Sequence, residues 1–525
     1  MPSFQHSFGL DTQSAAAKAS LSGNIVSVLQ AGGFFGSLFT LYTTSRWGRK
    51  SVLIVSGFLY TIGGVIQAIA GLGSSQSTGL SVLYFGRFFA GLGVGLLSVL
   101  VPSYLSECTP KAIRGRITGG VELTITLGSM LCFWVNYGSE LHLKPTEMQW
   151  RLPFVIQLVP SVLFTVLMFF QPESPRWLVE RGRYDDAARS LAYIARKSPS
   201  DPAVLATLDE IKADYLGKQH LPLLQQFRGM GASKITALRC FIPSLLTFFQ
   251  QWTGANAVNY YSPQIFAALG LTSTTSGLLA TGVYGVVKLL ANLIGLFWLI
   301  EQLGRKRCLV YGSLGSALSM LYVGIFLGVH PEKDVVPGTY VSLVAIFFFS
   351  VFLAVGWGPC TFVVATEVAP NHLRTAVMAL AGAVMWLFTF VIAQITPVML
   401  VHITYGTYLL FGVFGIVMGV YAYFGLPETA GYPLEDVRYL FEHDLWVRAL
   451  EDAPLGWIFL SGQRKSTPVS ELRGKDMAIP SDAGERTSAG SDEEKWDPAL
   501  SNASHGAASP TGPDVVARPP SDLII

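Results

Sequence analysis

Three strongly ionisable side chains stand deep inside long apolar blocks of this chain: Arg87, Glu122 and Lys288. A charge is costly in hydrocarbon, so such residues are paired or serve a pathway. Gln250, Gln251 and Asn256 place three amides in another apolar block. Five and six residues apart, they do not share one helical stripe, although local unwinding would turn two of them toward one cavity. Amides both donate and accept, which suits a hydroxyl-rich partner that does the same. Nothing completes a catalytic set: there is no phosphate loop, no His-Glu-x-x-His and no nucleophile elbow. Gly91, Gly93 and Gly95 lack the spacing of a dinucleotide loop and read as small residues that let helices approach closely. Five scattered cysteines (Cys108, Cys132, Cys240, Cys308 and Cys360) fit neither a disulfide framework nor a zinc site, and no metal or cofactor is expected.

The elements that hold these groups follow from composition. Of 525 residues, 51% are apolar and only 13% charged, about half the charge of a soluble domain. With 36 Lys and Arg against 34 Asp and Glu, the chain lacks the basic footprint of a nucleic-acid binder. A helix needs roughly 20 apolar residues to cross a bilayer. Eleven such blocks are expected, near Ile25–Thr44, Ser51–Gly71, Ser81–Ser103, Ile117–Gly138, Pro153–Phe170, Phe241–Ile265, Ser276–Ile300, Cys308–Val329, Tyr340–Val364, Val377–Leu400 and Tyr405–Leu426. All must be helical, because an open strand in lipid leaves its amides unpaired. The loops with Arg46, Arg49, Lys50, Lys111, Arg114, Arg116, Arg305, Lys306, Arg307 and Arg374 mark the cytoplasmic side.

The chain also repeats itself. Gly48-Arg49-Lys50 recurs as Gly304-Arg305-Lys306, and Pro172-Glu173-Ser174 recurs as Pro427-Glu428-Thr429. Glu107, Pro110 and Arg114 recur with the same spacing as Glu367, Pro370 and Arg374. Two homologous halves with a site between them is a transporter architecture. The second half has two spans before its Gly-Arg-Lys and the first has one, so a first helix is expected to be missing ahead of Met1. The expected organisation is an extracellular segment 1–24, a helical half 25–171 and a cytoplasmic linker of short helices 172–238. A second half with a cytoplasmic extension, 239–450, and a disordered tail, 451–525, complete it. Ser174-Pro175 and Asp201-Pro202 are helix starts within the linker.

Over about residues 1–440 the sequence resembles the sugar porters of the major facilitator superfamily, of the fungal monosaccharide and quinate type. Arg46-Trp47-Gly48-Arg49-Lys50 is similar to the loop between the second and third helices. Gly86-Arg87, Gly91, Gly93, Gly95, Pro102, Tyr104, Glu107, Pro110 and Arg114-Gly115 follow the fourth-helix signature. Pro172-Glu173-Ser174-Pro175-Arg176-Trp177 resembles the close of the first half, and Gln250-Gln251-Trp252-Thr253-Gly254-Ala255-Asn256 with Tyr260-Tyr261 the sugar-binding run of the seventh helix. Gly358-Pro359, Glu367, Arg374, Trp386 and Pro427-Glu428-Thr429 complete the second half.

The resemblance implies an all-α polytopic fold of two six-helix halves, with about eleven helices present here. It implies a multi-pass transporter, not an enzyme, that moves a monosaccharide by alternating access coupled to protons, as a monomer in the plasma membrane. Alternatives are a permease for a sugar-like acid such as quinate, a non-transporting sugar sensor, or an inactive product without its first helix. Substrate contacts are implied for Gln250, Gln251, Asn256, Glu122, Lys288, Tyr261 and Trp386. In the family fold the fifth and eighth helices pack together, so Glu122 and Lys288 are expected to form a buried pair. Arg46, Arg49, Glu107, Arg114, Glu173, Arg176, Glu301, Arg305, Glu367 and Arg374 are expected to make charge pairs that link the halves on the cytoplasmic side. Arg87 is the candidate coupling residue, its acidic partner belonging to the absent helix. Ser45, Phe362, Met385 and Thr389 depart from the family pattern, and the last three are expected to strip polar contacts from the site.

Overall fold

The computed structural model describes residues 1–449 apart from 73–74, 111–113, 217–222, 272, 331–335, 371, 431, 433–435 and 443–448. The tail expected at 451–525 lies outside the described residues. Every regular element among the described residues is a helix. The first half comprises α1 (Pro2–Ser7), α2 (Ala15–Trp47), α3 (Arg49–Ile69), α4 (Gln76–Cys108), α5 (Arg114–His142) and a span divided into α6 (Glu147–Ile156) and α7 (Leu158–Phe169). The short α8 (Pro175–Glu180), α9 (Tyr184–Ala195), α10 (Pro202–Leu216) and α11 (Leu223–Gly229) follow. The second half opens with α12 (Lys234–Trp252) and α13 (Ala255–Ala268). Next come α14 (Thr274–Ile294), a π turn at Gly295–Leu299, α15 (Ile300–Leu303), α16 (Arg305–Val329) and the pair α17 (Pro337–Val355) and α18 (Pro359–Val368). It ends with α19 (Arg374–His402), α20 (Tyr405–Gly425) and α21 (Val437–Glu442).

All eleven expected blocks are helical, and among the described residues nine helical stretches are long and apolar enough to span a bilayer. Of the other two, α5 includes side chains that lie outside the described residues. The α12–α13 block breaks at Thr253-Gly254, where Gly254 takes φ 85°, a left-handed conformation that favours glycine. The pieces have 19 and 14 residues, and Lys234 and Arg239 lie in the first.

The alternating glycines of α4 pack on two sides at once. A Cβ on Gly91 or Gly95 would meet the Leu29 or Gly33 carbonyl of α2, while one on Gly86 or Gly93 would meet backbone of α3. Close helix approach, not phosphate binding, explains the motif. The repeat is visible in the packing as well. An offset of 256 residues carries α2 onto α14 and α5 onto α19, and α14 packs on α5 as α2 packs on α19. The two seams between the halves are therefore copies of one another.

Both helix starts expected between the halves form. Ser174 Oγ accepts from Trp177 N at 3.3 Å, and α8 begins at Pro175. Asp201 Oδ1 accepts from Ala203 N at 2.8 Å as α10 begins at Pro202, and that bond holds its carboxyl below the ordinary carboxylate range. The linker is shared out: Trp177, Leu178, Ala187 and Leu208 give α8–α10 a small core that rests on α4, whereas α11 packs on α19.

Candidate functional site

At the basic end each half is closed by the same bracket. Gly48 (φ 88°, ψ 170°) and Gly304 (φ 85°, ψ 163°) turn the chain into α3 and α16. The carboxylate of Glu173 accepts from the amides of Arg49 at 2.9 Å and Lys50 at 3.0 Å, and that of Glu428 from Arg305 at 3.0 Å and Lys306 at 3.1 Å. Each thereby satisfies two orphan donors of a helix N-terminus with a negative charge. Arg49 Nε lies 3.0 Å from Glu107 and Arg305 Nη2 lies 3.3 Å from Glu367. Ser174 Oγ donates to Glu107, and Thr429 Oγ1 donates to Glu367 at 2.6 Å. Lys50 Nζ reaches the Phe169 carbonyl at 2.8 Å and Lys306 Nζ the Leu426 carbonyl at 2.6 Å.

The described bonds of Arg49, Glu107, Glu173, Arg305 and Glu367 close within one half. In each bracket one carboxylate is taken by a helix start and the other by an arginine of the same half. Arg46 is exposed, bonds Tyr42 Oη at 2.7 Å and stands outside the bracket. Arg176 and Arg374 are half-buried at the same end. The side chains of Arg114 and Glu301 lie outside the described residues.

Nearer the middle, a polar row runs along α12–α14. Gln251, only 3% exposed, accepts at Oε1 from Asn256 Nδ2 at 2.5 Å and from Thr389 Oγ1 at 3.0 Å. The break at Gly254 makes the first bond possible, since an unbroken helix would carry Asn256 away from Gln251. Thr389 therefore contributes a polar contact where the sequence suggested its loss. One turn beyond Asn256, Asn259 Oδ1 accepts from Tyr284 Oη at 3.2 Å and Lys288 Nζ at 3.3 Å. Gln250 turns elsewhere: its Nε2 bonds the Trp357 carbonyl at 2.9 Å, at the bend between α17 and α18, where Thr361 Oγ1 donates to the same oxygen at 2.7 Å. Tyr261 is buried with its hydroxyl on the Ala393 carbonyl at 2.6 Å.

The expected Glu122–Lys288 pair is not closed, and helix register explains why. Asn292 Nδ2 donates to Thr126 Oγ1 at 2.8 Å, and Gly285 and Gly282 face Phe133 and Trp134, so α5 and α14 run antiparallel. Glu122 lies one turn below Thr126 and Lys288 one turn above Asn292 on the same facing stripes. Their backbones are therefore about 12 Å apart along the pair, at roughly 1.5 Å per residue. Each side chain feels the charge of the other, but among the described residues Glu122 has no ion-pair or hydrogen-bond partner for its carboxylate.

Trp386 packs against Gly33 of α2 and donates to Ser98 Oγ of α4 at 3.0 Å, so it belongs to the seam. Farther out on that seam Gln394 accepts from Ser27 Oγ and donates to Asn24 Oδ1, both at 2.6 Å. Arg87 sits 5.8 Å from the Phe154 ring, its Nε unpaired, with no carboxylate in contact among the described residues. Asn24, Asn259, Asn292 and Gln394 are site residues not singled out from the sequence, because they are uncharged amides within apolar blocks. The amide criterion that found Gln250 would have found these four as well.

The chain is similar to known proteins over most of its length. The family described as Sugar (and other) transporter matches residues 1–441. A probable quinate permease of Aspergillus fumigatus is 36% identical over 451 residues, covering 84% of this chain and 82% of that protein. A quinate permease of Neurospora terricola is 35% identical over 452 residues, covering 84% of each. Among solved structures, the proton:xylose symporter XylE bound to 6-bromo-6-deoxy-D-glucose superposes with a TM-score of 0.69 at 28% identity, covering 84% of this chain and 94% of that one. The inward-open form of XylE from E. coli gives 0.68 at 27% identity, covering 84% and 94%.

Proposed function

The chain belongs to the sugar transporter family, a multi-pass transporter of the major facilitator fold and not an enzyme, and from that premise we propose that it carries a small polyhydroxylated solute through the space between its halves by alternating access. The observation that supports this most directly is the row Gln251, Asn256, Asn259 and Lys288, which gathers amide and ammonium groups beside the α5–α14 seam. Hydroxyl-bearing solutes match amides in hydrogen-bonding character. Gln250 and Tyr261 support the site from behind, through the carbonyls they hold, and Trp386 shapes its floor at the other seam.

Proton symport in the plasma membrane, with Arg87 near the coupling step, is the second part of the proposal. It draws on the likeness to a proton:xylose symporter and on the placement of Arg87 inside α4. The brackets at the basic end keep each half rigid while the seams open and close.

The test is uptake of radiolabelled xylose, glucose and quinate into proteoliposomes, with and without an inward proton gradient. Saturable uptake of at least one of them, accelerated by the gradient, is expected. Absence of uptake for all three, with correctly inserted protein, refutes the transport reading. Uptake that ignores the gradient refutes only the coupling.

A further inference from the structure

Within that transport reading, on which this inference rests, we propose that Lys288 is the recognition residue for a carboxylate on the substrate, so that the cargo is a polyhydroxylated acid and not a neutral sugar.

Donors outnumber acceptors around Lys288. An amide oxygen has two lone pairs. Asn259 Oδ1 uses both, on Lys288 and Tyr284, and Gln251 Oε1 uses both, on Asn256 and Thr389. What these three residues still offer are N–H groups: two on the Lys288 ammonium, two on the Asn259 amide and two on the Gln251 amide, none with a partner among the described residues. A sugar hydroxyl donates as well as accepts. A carboxylate only accepts, and it carries the charge that an ammonium inside a membrane helix requires.

The location fits the same reading. Lys288 lies on the stripe of α14 that holds Gly285 and Asn292 and faces α5 across the seam, and its bond to Asn259 draws its head toward α13. The register of α5 and α14 keeps Glu122 too far toward the basic end to close on it. Among the described residues Glu122 is the carboxylate that acts on Lys288 electrostatically, and it steadies the ammonium without occupying its N–H groups. The Asn256 oxygen, one turn along α13, is the acceptor left for the hydroxyls of the same molecule. An elongated or cyclic acid then lies with its carboxylate on Lys288 and Asn259 and its hydroxyls on Asn256.

The test compares quinate with methyl quinate, which keeps the ring and hydroxyls and removes the charge. Binding to the purified full chain is measured by calorimetry for wild type, Lys288→Asn, Lys288→Arg and Asn259→Asp. Wild type is expected to bind quinate at least about tenfold more tightly than methyl quinate, the scale of a hydrogen bond to a charged group. Lys288→Asn abolishes that preference while retaining methyl quinate binding, which shows that it is folded. Lys288→Arg keeps the preference. Asn259→Asp, which leaves the lysine in place but occupies it, loses the preference as well. Equal preference in wild type and Lys288→Asn overturns the inference. Binding and uptake of xylose with no response to quinate overturns it too, yet leaves the transport reading intact. Failure of all these solutes in both binding and uptake removes the transport reading beneath it.

Discussion

Replacing Gly48 by alanine tests the bracket in a way that separates its two components. At φ 88° and ψ 170° an L side chain is strained by about 1–3 kcal/mol. The new Cβ would also run into the carboxylate of Glu173 and approach the Trp177 ring at 3.3 Å. Displacing that carboxylate strands the Arg49 and Lys50 amides, a capping loss of about 1 kcal/mol. Gly48→Ala should therefore destabilise the first half by about 2–4 kcal/mol. Glu173→Ala alone should forfeit the cap, about 1–2 kcal/mol, without any strain. The double variant should be less damaging than the sum by about 1 kcal/mol, because the clash and the cap vanish together. Gly120→Ala is the control, since a Cβ there meets nothing within 4 Å among the described residues. The assay is the apparent melting temperature of purified protein in detergent, read by thiol-reactive fluorescence or by loss of the monodisperse peak. If Gly48→Ala melts with wild type, the positive φ is not a constraint on the fold. If the double variant is strictly additive, Gly48 and Glu173 are not coupled and the bracket is only an apparent unit.

Other variants follow from the same contacts. Gly304→Ala should match Gly48→Ala within about 1 kcal/mol in the same melting assay, since a Cβ there would meet the Glu428 carboxylate. Arg87→Leu should leave the melting temperature unchanged or raise it, because the guanidinium holds no carboxylate among the described residues; a fall of several degrees would reveal a partner. Gln394→Leu strands Ser27 and Asn24 at the α2–α19 seam and should lower stability by about 1–2 kcal/mol, with a readable drop in melting temperature. Glu122→Gln should tighten quinate binding several-fold in calorimetry, by removing a negative charge that repels the substrate carboxylate.

Much of this was legible before any coordinates. The Gly-Arg-Lys and Pro-Glu-Ser/Thr repeats are spaced along the covalent chain, so their recurrence announces two equivalent halves, and hydropathy alone places eleven helical blocks. What each charge would touch was not legible. Whether Glu173 bridges the halves or caps α3 depends on how the chain returns after α7, which no local spacing encodes. The register of α5 on α14 is decided by Gly282 and Gly285 meeting aromatic rings, and a shift of two turns separates an ion pair from two lone charges. Thr389 looked like a lost polar contact because its partner, Gln251, lies on another helix. The break at Gly254 could be suspected from the amide spacing, but its effect, turning Asn256 back onto Gln251, required the actual dihedral.

The duplicated bracket bears on ancestry and on how the polypeptide can be cut. Each lobe carries its own lock, made from its own residues, and α8–α10 side with the front lobe while α11 sides with the rear one. The short helices thus divide between two bodies that are each internally tied. Such a molecule is built like two copies of a once-independent protomer, stitched end to end and free to drift apart everywhere except in their locks.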